Sequence, residues 1–172
     1  MKKEFCINCR LEPGQYSLEE LFTDIRACGV LHDIFADAAE IDSVIAHTRI
    51  VVADHGYEMF VDNKDGSINV GLNHLKSSTT ETLYLDIIHE LCHVKQQRQG
   101  RNLYDRSKPY VDRETEIEAY RITVREARRI GMNDEAIRDY LRVPWLSPED
   151  QERLARRLNI KETAQHPLSE QH

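Results

Sequence analysis

From Thr79 to Arg98 the residues Leu83, Ile87, Ile88, Leu91 and Val94 recur at the three- and four-residue spacing of one helical face, with Ser78 and Glu81 as a capping box ahead of them and Gly100 behind. Such a helix is roughly 30 Å long. Its apolar face must be buried, so the rest of the chain has to supply layers around it. A second long helix is predicted from Asp112 to Ile130, closed by Gly131, followed by a short helix capped by Asn133 and ending near Tyr140. Ser147-Pro148-Glu149-Asp150 opens a last helix that runs to about Leu158. The first half reads differently. Phe5, Ile7, Cys9 and Leu11 alternate with polar residues, which predicts a half-buried strand over Glu4–Leu11 ended by Pro13-Gly14. Ser17 and Glu20 form a capping box for a helix through Leu21, Phe22, Ile25 and Ala27, and a further helix is expected between Leu31 and Ala46. Thr48–Ala53 is a β-branched strand candidate. Tyr57–Val61 and Ile68–Leu72 flank Asp62-Asn63-Lys64-Asp65-Gly66, a hairpin signal. These elements predict an α+β fold: a small, mostly antiparallel sheet packed on two long helices, with short C-terminal helices as a lid or brace.

Charge excludes several classes of partner. The chain has 23 basic and 30 acidic residues among 172, a net charge of −7, against the cationic footprint that a broad nucleic-acid or anionic-membrane surface needs. Lys95, Arg98, Arg101, Arg106 and Lys108 form a local basic cluster that the dipole at a helix C-terminus accounts for. No apolar run approaches the length of a membrane span, and no signal-peptide stretch follows Met1-Lys2-Lys3-Glu4, so a cytoplasmic protein with reduced cysteines is expected. Cys6 and Cys9 have the spacing of half a zinc ribbon, but no second pair follows at ribbon distance.

The decisive residues are His89-Glu90-Leu91-Cys92-His93, inside the best-defined helix. Histidines four apart project from one helical face and can grip one divalent metal, zinc by default. Glu90, beside the first of them, is placed as a general base for an activated water. Cys92 reads as a small buried hydrophobe.

Two imidazoles hold zinc weakly, and the next helix offers carboxylates. Glu116, Ala119, Tyr120, Thr123, Ala127 and Ile130 form one inward stripe, whereas Glu114, Glu118, Arg121, Arg125 and Arg128 fall on the far side, where Glu–Arg pairing explains them. Glu116 is therefore the favoured third ligand, because a carboxylate on a buried face needs a counter-charge. Glu118, Glu114, a histidine or water alone are the alternatives.

The arrangement resembles the zincin metallopeptidases, and within them the gluzincins. His89-Glu90-Leu91-Cys92-His93 is similar to their active-site helix, and Glu116-Ile117-Glu118-Ala119 to the Glu-x-x-Ala signature of several short members. The resemblance covers about Arg49 to Ile130 and is closest to compact single-domain members of phage, plasmid and stress-response systems, some of which cleave repressors. It implies that His89, His93 and Glu116 bind Zn2+, that Glu90 is the general base, and that a polypeptide substrate adds to the sheet's edge strand. Chain length predicts one domain over 1–160 and terminal fraying a flexible tail over 161–172, and the sequence departs from larger gluzincins in lacking a second domain to wall the cleft. Tyr104, Tyr110, Tyr120 and His74 are the candidate donors to a tetrahedral oxyanion. Gly71 is expected to admit a peptide backbone, and Trp145 to anchor the C-terminal helices. The competing readings are a non-catalytic metal-binding or sensor module that engages a protein partner, and a small-molecule amidohydrolase.

Overall fold

Within residues 5–162, which the computed structural model describes, four short strands form one sheet: β1 (Gly14–Ser17), β2 (Arg49–Ala53), β3 (Met59–Val61) and β4 (Ile68–Gly71). Their spatial order is β1-β2-β4-β3. Strand β1 pairs antiparallel with β2, with Tyr16 opposite Ile50, and β3 pairs antiparallel with β4, with Phe60 opposite Asn69. Because β3 folds back along the outer side of β4, β4 lies parallel to β2, with Val52 opposite Val70. The sheet is thus mostly antiparallel, and the fold is α+β. Ile50, Val52, Val61, Ile68 and Val70 are all buried.

Among the described residues eight helices surround it: α1 (Leu18–Leu21), α2 (Leu31–Ile34), α3 (Ala38–His47), α4 (Leu72–Ser77), α5 (Thr80–Arg98), α6 (Glu114–Arg129), α7 (Asp134–Leu141) and α8 (Pro148–Arg157). Helix α5 packs along α6 and against β3, which is the relationship that positions the site. Its N-cap is Thr79, which accepts from Thr82 N at 3.2 Å, rather than Ser78, whose hydroxyl lies against His74 Nδ1. Helices α7 and α8 are capped by Asn133 and Ser147 as expected. They brace the molecule through Arg138–Glu152 and through Arg153 and Arg157, which both reach Asp112. No helix among the described residues is long and apolar enough to cross a membrane.

The first half departs from the expected elements for local reasons. Phe5, Ile7, Cys9 and Leu11 do point inward, but only Ile7 pairs, in a single bridge to Phe22. That bridge draws Phe22 into an extended conformation, so the helix opened by Ser17 stops at Leu21 and a separate 3-10 turn follows over Ile25–Ala27. The strand that does form is β1, just past Pro13, at one of the two edges of the sheet. Between α2 and α3 the helix expected to run to Ala46 is interrupted, because Asp37 caps a new start by accepting from Glu40 N at 2.8 Å. Helix α4 was not expected at all, and no side-chain cap marks it. The tail expected to be flexible lies beyond the described residues after Glu162, while Lys161 still donates its backbone N–H to Asp134 at 2.8 Å.

Gly71 does admit a backbone, and it is the chain's own. A Cβ there would lie 2.1 Å from the carbonyl oxygen of Tyr57, and Gly71 N donates to Glu58 O at 2.8 Å. Gly71→Ala is expected to force the β3 approach apart and destabilise the fold by about 3 kcal/mol, measured by urea unfolding.

Candidate metal centre

Helix α5 carries His89 and His93 one turn apart, and the facing side of α6 carries Glu116. His89 Nε2 and His93 Nε2 lie 3.1 Å apart, with ring centroids separated by 4.7 Å and planes at 85°. Glu116 Oε2 sits 3.2 Å from His89 Nε2 and 3.4 Å from His93 Nε2. One atom from each side chain falls within 4.8 Å of the others, all three residues are buried, and this is the one such group among the described residues.

Burial and mutual contact set the charges. Burial pulls His89 below its ordinary value. Burial also works against a charged His93, but the hydrogen bond and charge of Glu116 outweigh it and push that imidazole up to about 9. The same two imidazoles, against the effect of burial, hold Glu116 well below the usual carboxylate range. Glu90 is pushed up to about 8, first by burial and then by Glu116, although the charge on His93 and the Val61 backbone pull the other way.

The residues present fit a divalent cation. Two imidazole nitrogens and one carboxylate oxygen converge, a donor set that suits a borderline-soft ion. Beside them Glu90 Oε2 and His89 Nδ1 are buried with no partner in the protein. An unsatisfied buried polar atom costs about 1–3 kcal/mol, so the cluster is an expensive arrangement for the protein alone.

The alternative carboxylates are engaged elsewhere. Glu118 is gripped by Arg101 at 2.5 and 3.2 Å and by Gln96 at 3.0 Å. Glu114 is largely exposed, with Lys108 3.6 Å away. Cys92 is buried and its Sγ donates to Ile88 O, as a small core side chain would. Cys6 and Cys9 are free thiols.

A cleft of about 730 Å³ opens over the site, with His89, Glu90, Tyr110 and Tyr120 in its wall. Of the oxyanion candidates, Tyr104 has its hydroxyl committed to Val61 O at 2.5 Å. The Tyr110 and Tyr120 hydroxyls lie 2.9 Å apart in the cleft wall, and the Tyr120 ring packs 4.4 Å from His89. Trp145 does not anchor the C-terminal helices. It is 57% exposed, stands edge-on to Tyr110 and lines the cleft mouth.

His74 also lines the cleft, where Asp86 Oδ2 lies 2.7 Å from its Nε2 and Ser78 Oγ 3.0 Å from its Nδ1. Asp86 in turn accepts from Tyr140 at 2.8 Å, so this cluster ties α4, α5 and α7 together one turn before His89. Burial opposes the charged form of His74, but the hydrogen bond and charge of Asp86, with Glu58 adding, raise it above its ordinary value. The pair therefore stabilises the fold fully below the unfolded value of about 6.5, and the contribution is lost as pH rises through the raised one. His74→Gln is expected to cost about 1 kcal/mol at pH 6, with the difference from the parent protein shrinking by pH 9 in urea unfolding.

Sequence reasoning did not single out Gln96, whose side chain is almost wholly buried against His93. The available signal was its place three residues on, on the same helical face. No protein-family model, curated protein or solved structure matches this chain.

Proposed function

We propose that this chain is a zinc-dependent peptidase of gluzincin-like organisation, acting on polypeptides in the cytosol. The observation that carries this reading is the convergence of His89, His93 and Glu116 within 4.8 Å at the wall of a cleft that also holds the unpartnered Glu90 Oε2. The chemistry supplied on zinc binding is Lewis-acid polarisation of a scissile carbonyl and acidification of a water toward neutrality.

The chain's own residues supply the rest. Glu90, beside the three-residue cluster in the cleft wall, would accept a proton from the attacking water and pass it to the leaving amine. The Tyr110 and Tyr120 hydroxyls lie 2.9 Å apart in the cleft wall, with Glu116 a second partner for Tyr110, and either hydroxyl would have to turn from its present partner to meet a developing oxyanion.

A polypeptide rather than a small amide is favoured by the edge of the sheet. Bonds at Glu58–Gly71 and Asp62–Ser67 fix the alternation of the β3–β4 ladder, which turns the N–H and C=O of Met59 away from β4. Met59 lines the cleft, so an extended chain can pair with it there. Exposed Tyr57 and Trp145, both in the cleft wall, offer aromatic faces to its side chains.

The test is elemental analysis of the purified protein together with digestion of an unstructured protein. One zinc per chain and cleavage that a chelator abolishes and zinc restores are expected. Bound zinc without cleavage across a broad peptide library would leave a metal-binding interaction module in its place, and absence of zinc binding would overturn both readings.

A further inference from the structure

Gln96 sits one turn beyond His93 on α5, 3% exposed, in a helix whose other buried polar side chains are His89, Glu90 and His93. Its amide nitrogen donates to Thr115 O at 3.0 Å and to Glu118 Oε2 at 3.0 Å. Both of those partners only accept, which fixes the orientation of the amide. Its oxygen, 2.7 Å from His93 Nδ1, can then only receive a hydrogen bond from that nitrogen. Glu118 is itself held in a two-point grip by Arg101. The result is a continuous chain of contacts, Arg101 to Glu118 to Gln96 to His93, that crosses from the loop after α5 through α6 and back to α5.

We propose that Gln96 is the positioning residue of the metal centre: it locks the His93 ring with Nδ1–H inward, so that Nε2 faces His89 and Glu116, and the Arg101–Glu118 pair locks Gln96. This rests on the metal reading above and adds to it the device that sets affinity. A ligating histidine is oriented by the hydrogen bond its other nitrogen makes, and loss of such a partner weakens metal affinity by about 10–100-fold. The device also gives Glu118, two residues from Glu116 and likewise a carboxylate, a role outside the three-residue cluster. Thr115 and Glu118 flank Glu116 on α6, so the same amide that orients His93 pins the backbone on which the third ligand is carried.

Competition with a chromophoric zinc chelator tests this on the full chain. Gln96→Met, which keeps length and removes both hydrogen-bonding functions, is expected to raise the zinc dissociation constant by about 10–100-fold. Glu118→Met is expected to raise it by less, because Thr115 O still holds the amide. A residue with a purely structural role would lower the melting temperature of the metal-free protein and leave the dissociation constant unchanged. Unaltered zinc affinity in Gln96→Met, with the parent protein binding normally, overturns this inference alone. Failure of the parent protein to bind zinc overturns the metal reading and this inference with it. Should Gln96→Met not fold, nitrogen-15 NMR of the zinc-loaded parent protein decides: a slowly exchanging Nδ1 proton on His93 with coordination through Nε2 is expected, and coordination through Nδ1 refutes the assignment.

Discussion

Glu90→Gln is expected to keep zinc bound and to lower kcat/KM for peptide cleavage by about a thousandfold, the scale of a lost general base. The substitution is close to isosteric, and Glu90 Oε2 has no partner within the protein to lose. An amide also has no charge to desolvate, whereas burial pushes the Glu90 carboxyl up to about 8. The variant should therefore melt at or above the temperature of the parent protein at pH 8, which separates a catalytic defect from a folding one. Activity within tenfold of the parent would remove Glu90 from the role of base and direct attention to Tyr110 and Tyr120.

Glu116→Ala is expected to weaken zinc binding by more than about 100-fold, since even partners one step removed from a metal are worth 10–100-fold. The prediction is sharpened by its neighbours. Glu114→Ala should leave affinity unchanged, because that side chain points to solvent near Lys108. Glu118→Ala should act only through Gln96 and fall well short of the Glu116 effect. A reversed order, with Glu118 dominant, would mean that the carboxylate assignment is wrong. Chelator competition on the three variants reads all of this in one titration series.

The convergence of His89, His93 and Glu116 was legible because both helices that carry them obey a simple rule. A four-residue interval stacks His89 and His93, and the 3.6-residue stripe through Ala119, Thr123 and Ala127 favours Glu116 over Glu118 and Glu114 from the sequence alone. What could not be read was anything decided by a partner distant in sequence. The alternation from Phe5 to Leu11 reports which side chains are buried, yet a strand requires a neighbour to pair with, and only Phe22 provides one. Gly71 reads as room for a guest backbone, but the turn into β3 brings the chain's own Tyr57 into that space. Trp145 follows the general tendency of tryptophan to be buried only until the cleft is formed beside it. Gln96 carried no motif, and its meaning appears only once Thr115 and Glu118 are brought alongside.

Tyr104 covers the carbonyl of Val61, and Glu90 faces the amide of the same residue, so along β3 the outward-facing rung left open is the one at Met59. An array of copies zipping strand to strand needs several consecutive rungs, and here the ladder ends after one. The β3 margin can thus receive a transient guest at Met59 while offering little to an extended strand-to-strand array on that side. Tyr104→Phe, by exposing the second rung, would be the change that puts it at risk of forming fibres.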